Sequence, residues 1–204
     1  MRSIDGNLET VRLMANQLAY DPDLTPYQLQ KSEFGRYKAI SKLKSYHSRA
    51  NFLDEMILYI RNGETLYTSN GIQSLSSFIS DTYSFMGDWD EYSFQKLINE
   101  APGFGFSPGE AFLTKNKKPN NKNIVITYPW KNGTGRFGTI IGLMNADYFE
   151  QLLVNIDSDL DSAFFILNDK GDILFSLQNN TNYTHAQIQD IYGDSAEGIG
   201  MKKI

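Results

Sequence analysis

The chain has 204 residues, of which 41% are hydrophobic and 21% are charged, so it can bury the core of one large domain or of two small ones. Its net charge of −5 and its lack of a dense Lys/Arg run argue against nucleic acid as a partner. The absence of cysteine excludes disulfides, thiolate metal sites and cysteine catalysis, and no apolar run reaches the roughly 18 residues that span a membrane.

The N-terminal region is predicted to form two helices. Apolar residues recur at helical spacing over residues 4–20, and Asp21-Pro22-Asp23 ends this first helix. Thr25-Pro26 supplies an N-cap and a proline at the first helical position, which predicts a second helix to about Tyr46. Five side chains of the second helix are expected to face inward: Leu29, Phe34, Tyr37, Ile40 and Leu43.

One short pattern occurs twice: Gly, an acid, any residue, Leu, an aromatic residue and a hydroxyl. The copies lie at residues 63–68 and 171–176, and each follows an apolar run, at 56–60 and 163–167. An apolar strand, a glycine turn and a second strand predict a β-hairpin. Two hairpins of the same pattern predict two similar sheets, and therefore two tandem modules.

Helical and extended segments alternate in the rest of the chain. Two short helices are predicted within residues 72–100, around a loop that contains Trp89, and residues 103–109 are predicted to be a loop. Strands are predicted at about 110–114, 123–128 and 138–144, followed by helices at 146–156 and 182–192.

These segments predict an α+β fold made of tandem modules. A helical region at 1–50 is expected to pack on both modules, a first module covers 51–156, and a second, incomplete module covers 157–204. Helices inserted into the first sheet would cover one of its faces, where a ligand pocket is expected. Because a helix starts at once and residues 198–201 end the chain part-way through a module, both ends are expected to be cut from a longer protein.

Two glycine motifs match known patterns without the chemistry that these patterns need. Residues 105–109 match the G-x-S-x-G of hydrolases, but Pro108 follows Ser107 and has no N–H for an oxyanion hole. Residues 133–138 match the dinucleotide motif G-x-G-x-x-G, but they lead into a β-branched run where a helix is required. Neither a catalytic serine nor a nucleotide cofactor is therefore expected, and residues 133–138 are predicted to be a hairpin loop.

No metal site is expected either. Asp157, Asp159 and Asp161 match the first ligands of a calcium loop, but the sixth position is Ser162 and the twelfth is Asn168. These acids are interpreted as a solvated linker between the modules. The two histidines, His47 and His185, have no partner at helical spacing and are interpreted as structural or exposed.

Four features of the chain point to one family: the N-terminal helix pair, residues 56–71, the closing strand and helix at 138–153, and residues 164–176. Together they resemble the extracytoplasmic Cache sensor domains of bacterial receptors. The resemblance implies a double PAS-like (double Cache) architecture on the outer face of the membrane. It also implies a parent protein whose transmembrane helices connect the sensor to a cytoplasmic output, such as a histidine kinase or an AraC-type regulator.

The same resemblance bears on the ligand. Relatives that bind amino acids carry an Arg-x-Trp-Tyr cluster and an Asp in the closing strand, but Trp89 has no Arg partner and Met144 occupies the position of the acid. A neutral ligand such as a sugar is therefore expected in preference to an amino acid, with no cofactor and no catalytic residue. The side chains expected to line the pocket are Tyr67, Trp89, Phe112, Tyr128, Trp130 and Asn145.

Two other functions stay open at this point. Asp88, Asp90 and Glu91 beside Trp89 are the type of residue that a secreted glycosidase uses. Exposed aromatic residues would instead suit a surface module that binds a protein or polysaccharide. The N-terminal helix is also a candidate homodimer contact.

Overall fold

The computed structural model describes residues 4–85, 89–101, 103–107, 112–114, 123–132, 135–145, 148, 151, 163–167, 173–178 and 187. The helices are α1 Ile4–Ala19, α2 Pro26–Lys31, α3 Glu33–His47, α4 Leu75–Ser77 and α5 Glu91–Glu100. The strands are β1 Leu53–Ile60, β2 Thr65–Thr68, β3 Gly71–Ser74, β4 Tyr83–Phe85, β5 Gly105–Ser107, β6 Phe112–Thr114, β7 Asn123–Asn132, β8 Gly135–Asn145, β9 Ala163–Leu167 and β10 Ile173–Gln178. A 3-10 turn at Pro22–Leu24 and a π-helical turn at Phe78–Thr82 complete the description.

A six-stranded antiparallel sheet organises the first part of the chain, in the order β3-β2-β1-β8-β7-β5. Its central pair joins β1 to β8, with Ile57 opposite Ile141, so strands from the two ends of this part of the chain meet in the sheet and α4 and α5 are inserted between them. This arrangement confirms the predicted α+β fold. None of the described helices is long and apolar enough to cross a membrane.

Both predicted hairpins are present. β1 and β2 pair with Leu58 opposite Tyr67, and Asn62 in the turn adopts a positive φ of 58°. β9 and β10 form a separate two-stranded antiparallel sheet, with Leu167 opposite Ile173. That the second hairpin belongs to a second, incomplete module stays a prediction, as do the module boundaries.

The sheet has two buried faces, because successive residues of a strand point to opposite sides. We call the side covered by α1 and α3 the N-terminal face, and the side covered by α4, α5 and the π-helical turn the insertion face. The N-terminal face buries residues such as Met56, Leu58, Ile124, Ile126 and Ile140. The insertion face buries Ile57, Tyr59, Val125, Ile141 and Leu143.

The second predicted helix is in fact two helices, because Ser32 interrupts it. Ser32 has an extended backbone, and its Oγ accepts a hydrogen bond of 3.1 Å from the N–H of Gly35, which caps α3. The cap resets the helical phase, so α3 buries Gly35, Ala39 and Leu43 at four-residue intervals. The prediction that Phe34 and Tyr37 face inward is therefore wrong: they are 74% and 72% exposed.

Two segments differ from their predicted secondary structure. Residues 105–107, predicted to be loop, form the edge strand β5 on β7 because backbone pairing needs no apolar pattern. Residues 72–74, predicted to lie in a short helix, belong to β3 because the Oγ1 of Thr68 accepts the N–H groups of Asn70 and Gly71 and so reverses the chain.

The other predictions stand as follows. Asn132 and Gly135 are opposite each other at the adjoining ends of β7 and β8, so residues 135–138 of the G-x-G-x-x-G segment are strand and not the predicted loop, while residues 133 and 134 lie outside the described residues. In the helix predicted at 146–156, only residues 148 and 151 are described, and both are helical. Most of the helix predicted at 182–192 and the acidic linker at 157–161 lie outside the described residues.

Candidate functional site

The five predicted pocket side chains that the structure describes do not lie together. Tyr67, Tyr128 and Trp130 lie on the N-terminal face, whereas Trp89 packs against the core of the insertion face. Asn145 ends β8, and the backbone of Phe112 in β6 pairs with Phe85. Sequence could place these residues on strands, but the face of each strand depends on sheet register, which is a tertiary property.

The three residues on the N-terminal face connect the sheet to the helices above it. Trp130 is only 1% exposed and meets the edge of Phe137 with ring centroids 5.8 Å apart. Burial raises the pKa of the Tyr67 hydroxyl. The hydroxyl of Tyr128 donates a hydrogen bond of 3.2 Å to the side chain of Asn16 in α1. The ligand role of these residues stays a prediction, and the observed contacts are with protein.

Aromatic residues fill the centre of the insertion face. Phe94 of α5 stacks on Phe78 and leans against Phe85, with ring centroids 6.0 Å apart in each pair. The hydroxyl of Tyr59 donates to the side-chain oxygen of Asn99 at 3.1 Å, and the hydroxyl of Thr139 donates to the carbonyl oxygen of Ile98. These contacts fasten α5 to the sheet along its inner side.

The start of α5 is defined by Asp90. Its carboxylate accepts hydrogen bonds of 2.7 Å from both the backbone N–H and the hydroxyl of Ser93, in an N-cap arrangement. The Ser93 side-chain bond is the largest cause of the lowered pKa of Asp90. The general acid of a glycosidase needs a raised pKa, so the lowered pKa of Asp90 does not suit that role. Asp88 lies outside the described residues.

We expect the contribution of Asp90 to stability to depend on pH. Because the folded-state pKa is lowered, the cap stabilises the fold above the ordinary Asp pKa of 3.8 and loses this effect as the pH falls through the folded-state value. The difference in melting temperature between the parent and Asp90→Ala should therefore shrink in acid. Asp90→Asn, a cap that does not titrate, serves as the control, and a difference that is constant with pH would contradict this account.

An open cleft of about 470 Å³ runs along the solvent side of α5. We call it the α5 groove. Its described wall is one stripe of the helix together with a residue on either side of it, and it consists of Trp89, Tyr92, Ser93, Lys96, Leu97, Glu100 and Ala101. Aromatic side chains lie at the N-terminal end of the groove and opposite charges at the C-terminal end.

Among the predicted site residues whose side chains are described, only Trp89 lies in this groove. The prediction did not include Tyr92, Lys96 and Glu100. These three side chains face a common cleft only because the opposite side of α5 packs against the sheet. A helical plot around the buried Phe94 and Ile98 would have placed them on the outer side of the helix. It would not have shown that this side borders a cleft.

A second group of polar residues lies where β1 and β7 begin and β8 ends. Glu55 is only 4% exposed, and its carboxylate accepts a hydrogen bond of 3.0 Å from the side chain of Asn70. The buried Asn123 lies opposite Asn145, whose side chain is 3.5 Å from the carboxylate of Asp54. Of these five residues only Asn145 was predicted, although a Glu inside the apolar run 53–60 is itself a signal of a buried polar site.

Comparison with known proteins identifies the fold. No protein-family profile and no curated protein sequence matches this chain. Among solved structures, the sensor domain of the V. cholerae histidine kinase DctB matches 92% of this chain and 69% of its own, with 17% identity and a TM-score of 0.54. The ligand-binding domain of the Campylobacter jejuni chemoreceptor Tlp3 in complex with L-norvaline matches 95% of this chain and 70% of its own, with 14% identity and a TM-score of 0.53. These similarities, together with the sheet described above, show that the chain has the fold of Cache-type sensor domains.

Proposed function

We propose that this chain is the extracellular sensor domain of a bacterial transmembrane signalling protein. It binds a small molecule and transmits a conformational change to a cytoplasmic output domain. The observation that carries the proposal is the α5 groove, an open cleft on the inserted segment of a Cache-type fold. A ligand that binds one arrangement of the helices better than another shifts the population between them.

The ligand is neutral in this proposal, and a sugar is favoured over an amino acid. Met144, in the position where amino-acid-binding relatives are expected to carry an acid, is fully buried on the N-terminal face. In the groove, Lys96 and Glu100 bring opposite charges that cancel. A ligand with a net charge would be attracted by one of these two groups and repelled by the other, so the pair gives it no net advantage.

The domain itself performs no catalysis in this proposal. Ser107 is a buried residue in an edge strand, and Asp90 caps a helix. The tandem double-Cache arrangement, with the helices of the first region leading to the membrane, also belongs to the proposal. Four exposed aromatic side chains near the helix junctions favour an additional protein contact, such as a homodimer: Tyr20, Tyr27, Phe34 and Tyr37.

A thermal-shift screen of sugars, amino acids and carboxylates tests ligand sensing. A ligand at one hundred times its Kd stabilises the folded state by about 2.7 kcal/mol, which we expect to raise the melting temperature by on the order of 5 °C. A screen in which no compound class raises the melting temperature would remove the basis for the sensor function. Turnover of a chromogenic glycoside that is lost in Asp90→Asn would favour the glycosidase instead.

A further inference from the structure

We propose that the α5 groove binds a linear, uncharged oligosaccharide along the axis of α5, with Trp89 and Tyr92 stacking on the sugar rings. This inference rests on the proposed sensor function, because it names the ligand class of the same site. It differs from a pocket enclosed between sheet and helix, which would take one compact molecule. Four properties of the groove support it: its length, its aromatic end, its charges and its rigid base.

The groove is elongated. Its wall runs from Trp89 to Ala101, and a helix rises about 1.5 Å per residue, so the stripe is about 18 Å long. This length exceeds that of a single amino acid or monosaccharide. The cleft is open to solvent along its outer side, so a chain of several sugars can lie in it without an entrance having to open.

The aromatic end offers flat apolar surfaces with polar tips. Tyr92 is 72% exposed and Trp89 is half-buried, so their rings are available to a ligand. A sugar ring has an apolar face of C–H groups and a rim of hydroxyls. Such a ring matches an aromatic side chain, whose ring buries apolar area while its O–H or N–H finds a hydrogen-bond partner.

The charged end offers hydrogen-bond partners to hydroxyl groups. Lys96 and Glu100 are both exposed, lie one helical turn apart and form no ion pair with any of the described residues. Ion pairs in such a solvated position contribute little, so these two side chains would not by themselves hold an amino acid. As a donor and an acceptor that need no fixed partner, they suit the hydroxyls of a sugar.

The base of the groove is rigid before any ligand arrives. Phe94 and Ile98 are fully buried on the inner side of α5, and the Asp90 cap holds the first turn. Leu97 and Ala101 add apolar surface beside the charged side chains. A preformed surface spares the ligand the entropic cost of ordering the protein, which allows an open groove to bind usefully.

The test is titration calorimetry of the intact chain with neutral hexasaccharides: cellohexaose, xylohexaose, maltohexaose and hexa-N-acetylchitohexaose. The chain has a matched pair of tyrosines, since Tyr92 and Tyr37 are both 72% exposed and only Tyr92 lies in the groove. We expect at least one hexasaccharide to bind, and Tyr92→Ala to weaken it by about tenfold while Tyr37→Ala leaves it unchanged. Affinity should also fall from the hexasaccharide to its monosaccharide.

Tryptophan fluorescence gives an independent readout, because the chain has two tryptophans and only Trp89 borders the groove. A bound hexasaccharide should change the emission of the parent but not that of Trp89→Phe, in which the buried Trp130 alone emits. The inference is overturned if no hexasaccharide binds, or if Tyr92→Ala and Tyr37→Ala behave alike. If an amino acid or monosaccharide stabilises the chain with no effect of Tyr92→Ala, the sensor function survives while the oligosaccharide site is rejected.

Discussion

Gly138→Ala will destabilise the fold by about 3 kcal/mol or more, at the upper end of the usual cost of overpacking. Gly138 lies in β8 opposite Ile60, at the centre of the sheet. A Cβ atom at this position would overlap the carbonyl oxygen of Tyr59 and crowd the backbone N–H of Arg61. Both obstacles are backbone atoms of the neighbouring strand, so β1 and β8 would have to separate.

Urea unfolding followed by circular dichroism measures this effect. Gly103→Ala is the matched control, because a Cβ atom there would meet no atom within 4 Å and the backbone needs no positive φ. Where alanine fits without strain, it lowers the entropy of the unfolded chain, so the control should unfold within about 1 kcal/mol of the parent. Equal stability of the two variants would show that β1 and β8 are not packed as described.

The second large effect is expected for Trp130→Ala, which should lower the free energy of unfolding by about 3–5 kcal/mol. The indole is buried between the sheet and the N-terminal helices, where its contacts include the ring of Phe137. Truncation to alanine would leave a cavity that the surrounding strands and helices cannot close. Truncation of the half-buried Trp89 to alanine should lower the free energy of unfolding by only about 1 kcal/mol.

Ligand affinity should show the opposite order. Under conditions where the Trp130→Ala variant is still folded, it should bind ligand like the parent, whereas Trp89→Ala should bind more weakly. Differential scanning calorimetry with and without ligand measures both quantities on the same samples. A Trp130 variant that stays stable and loses affinity would restore Trp130 to the ligand site and reject the core role that its burial indicates.

The secondary structure could be read from the sequence wherever the signal was local. The hairpin of β1 and β2 follows from an apolar run and Asn62-Gly63, and α1 follows from its helical periodicity. The phase of α3 was missed, because a single capping residue, Ser32, decides it. The strand β5 was missed because it exists only through its pairing with β7.

The candidate site was only partly accessible to sequence reasoning. In the sequence, Tyr67, Tyr128 and Trp130 cannot be distinguished from an aromatic residue that lines a cleft. Strand register places these three side chains on the N-terminal face, on the other side of the sheet from Trp89. Tyr92, Lys96 and Glu100 join Trp89 because Phe94 and Ile98 turn the other side of α5 inward.

By itself, the sequence determined the α+β class, the two hairpins and the resemblance to Cache-type sensors, since turn residues and apolar periodicity act within a few residues of each other. Tertiary structure alone decided which side chains share a face, which helix side borders a cleft and where Glu55 is buried. The physical reason is that burial and register are set by pairing between distant segments. No single segment carries that information.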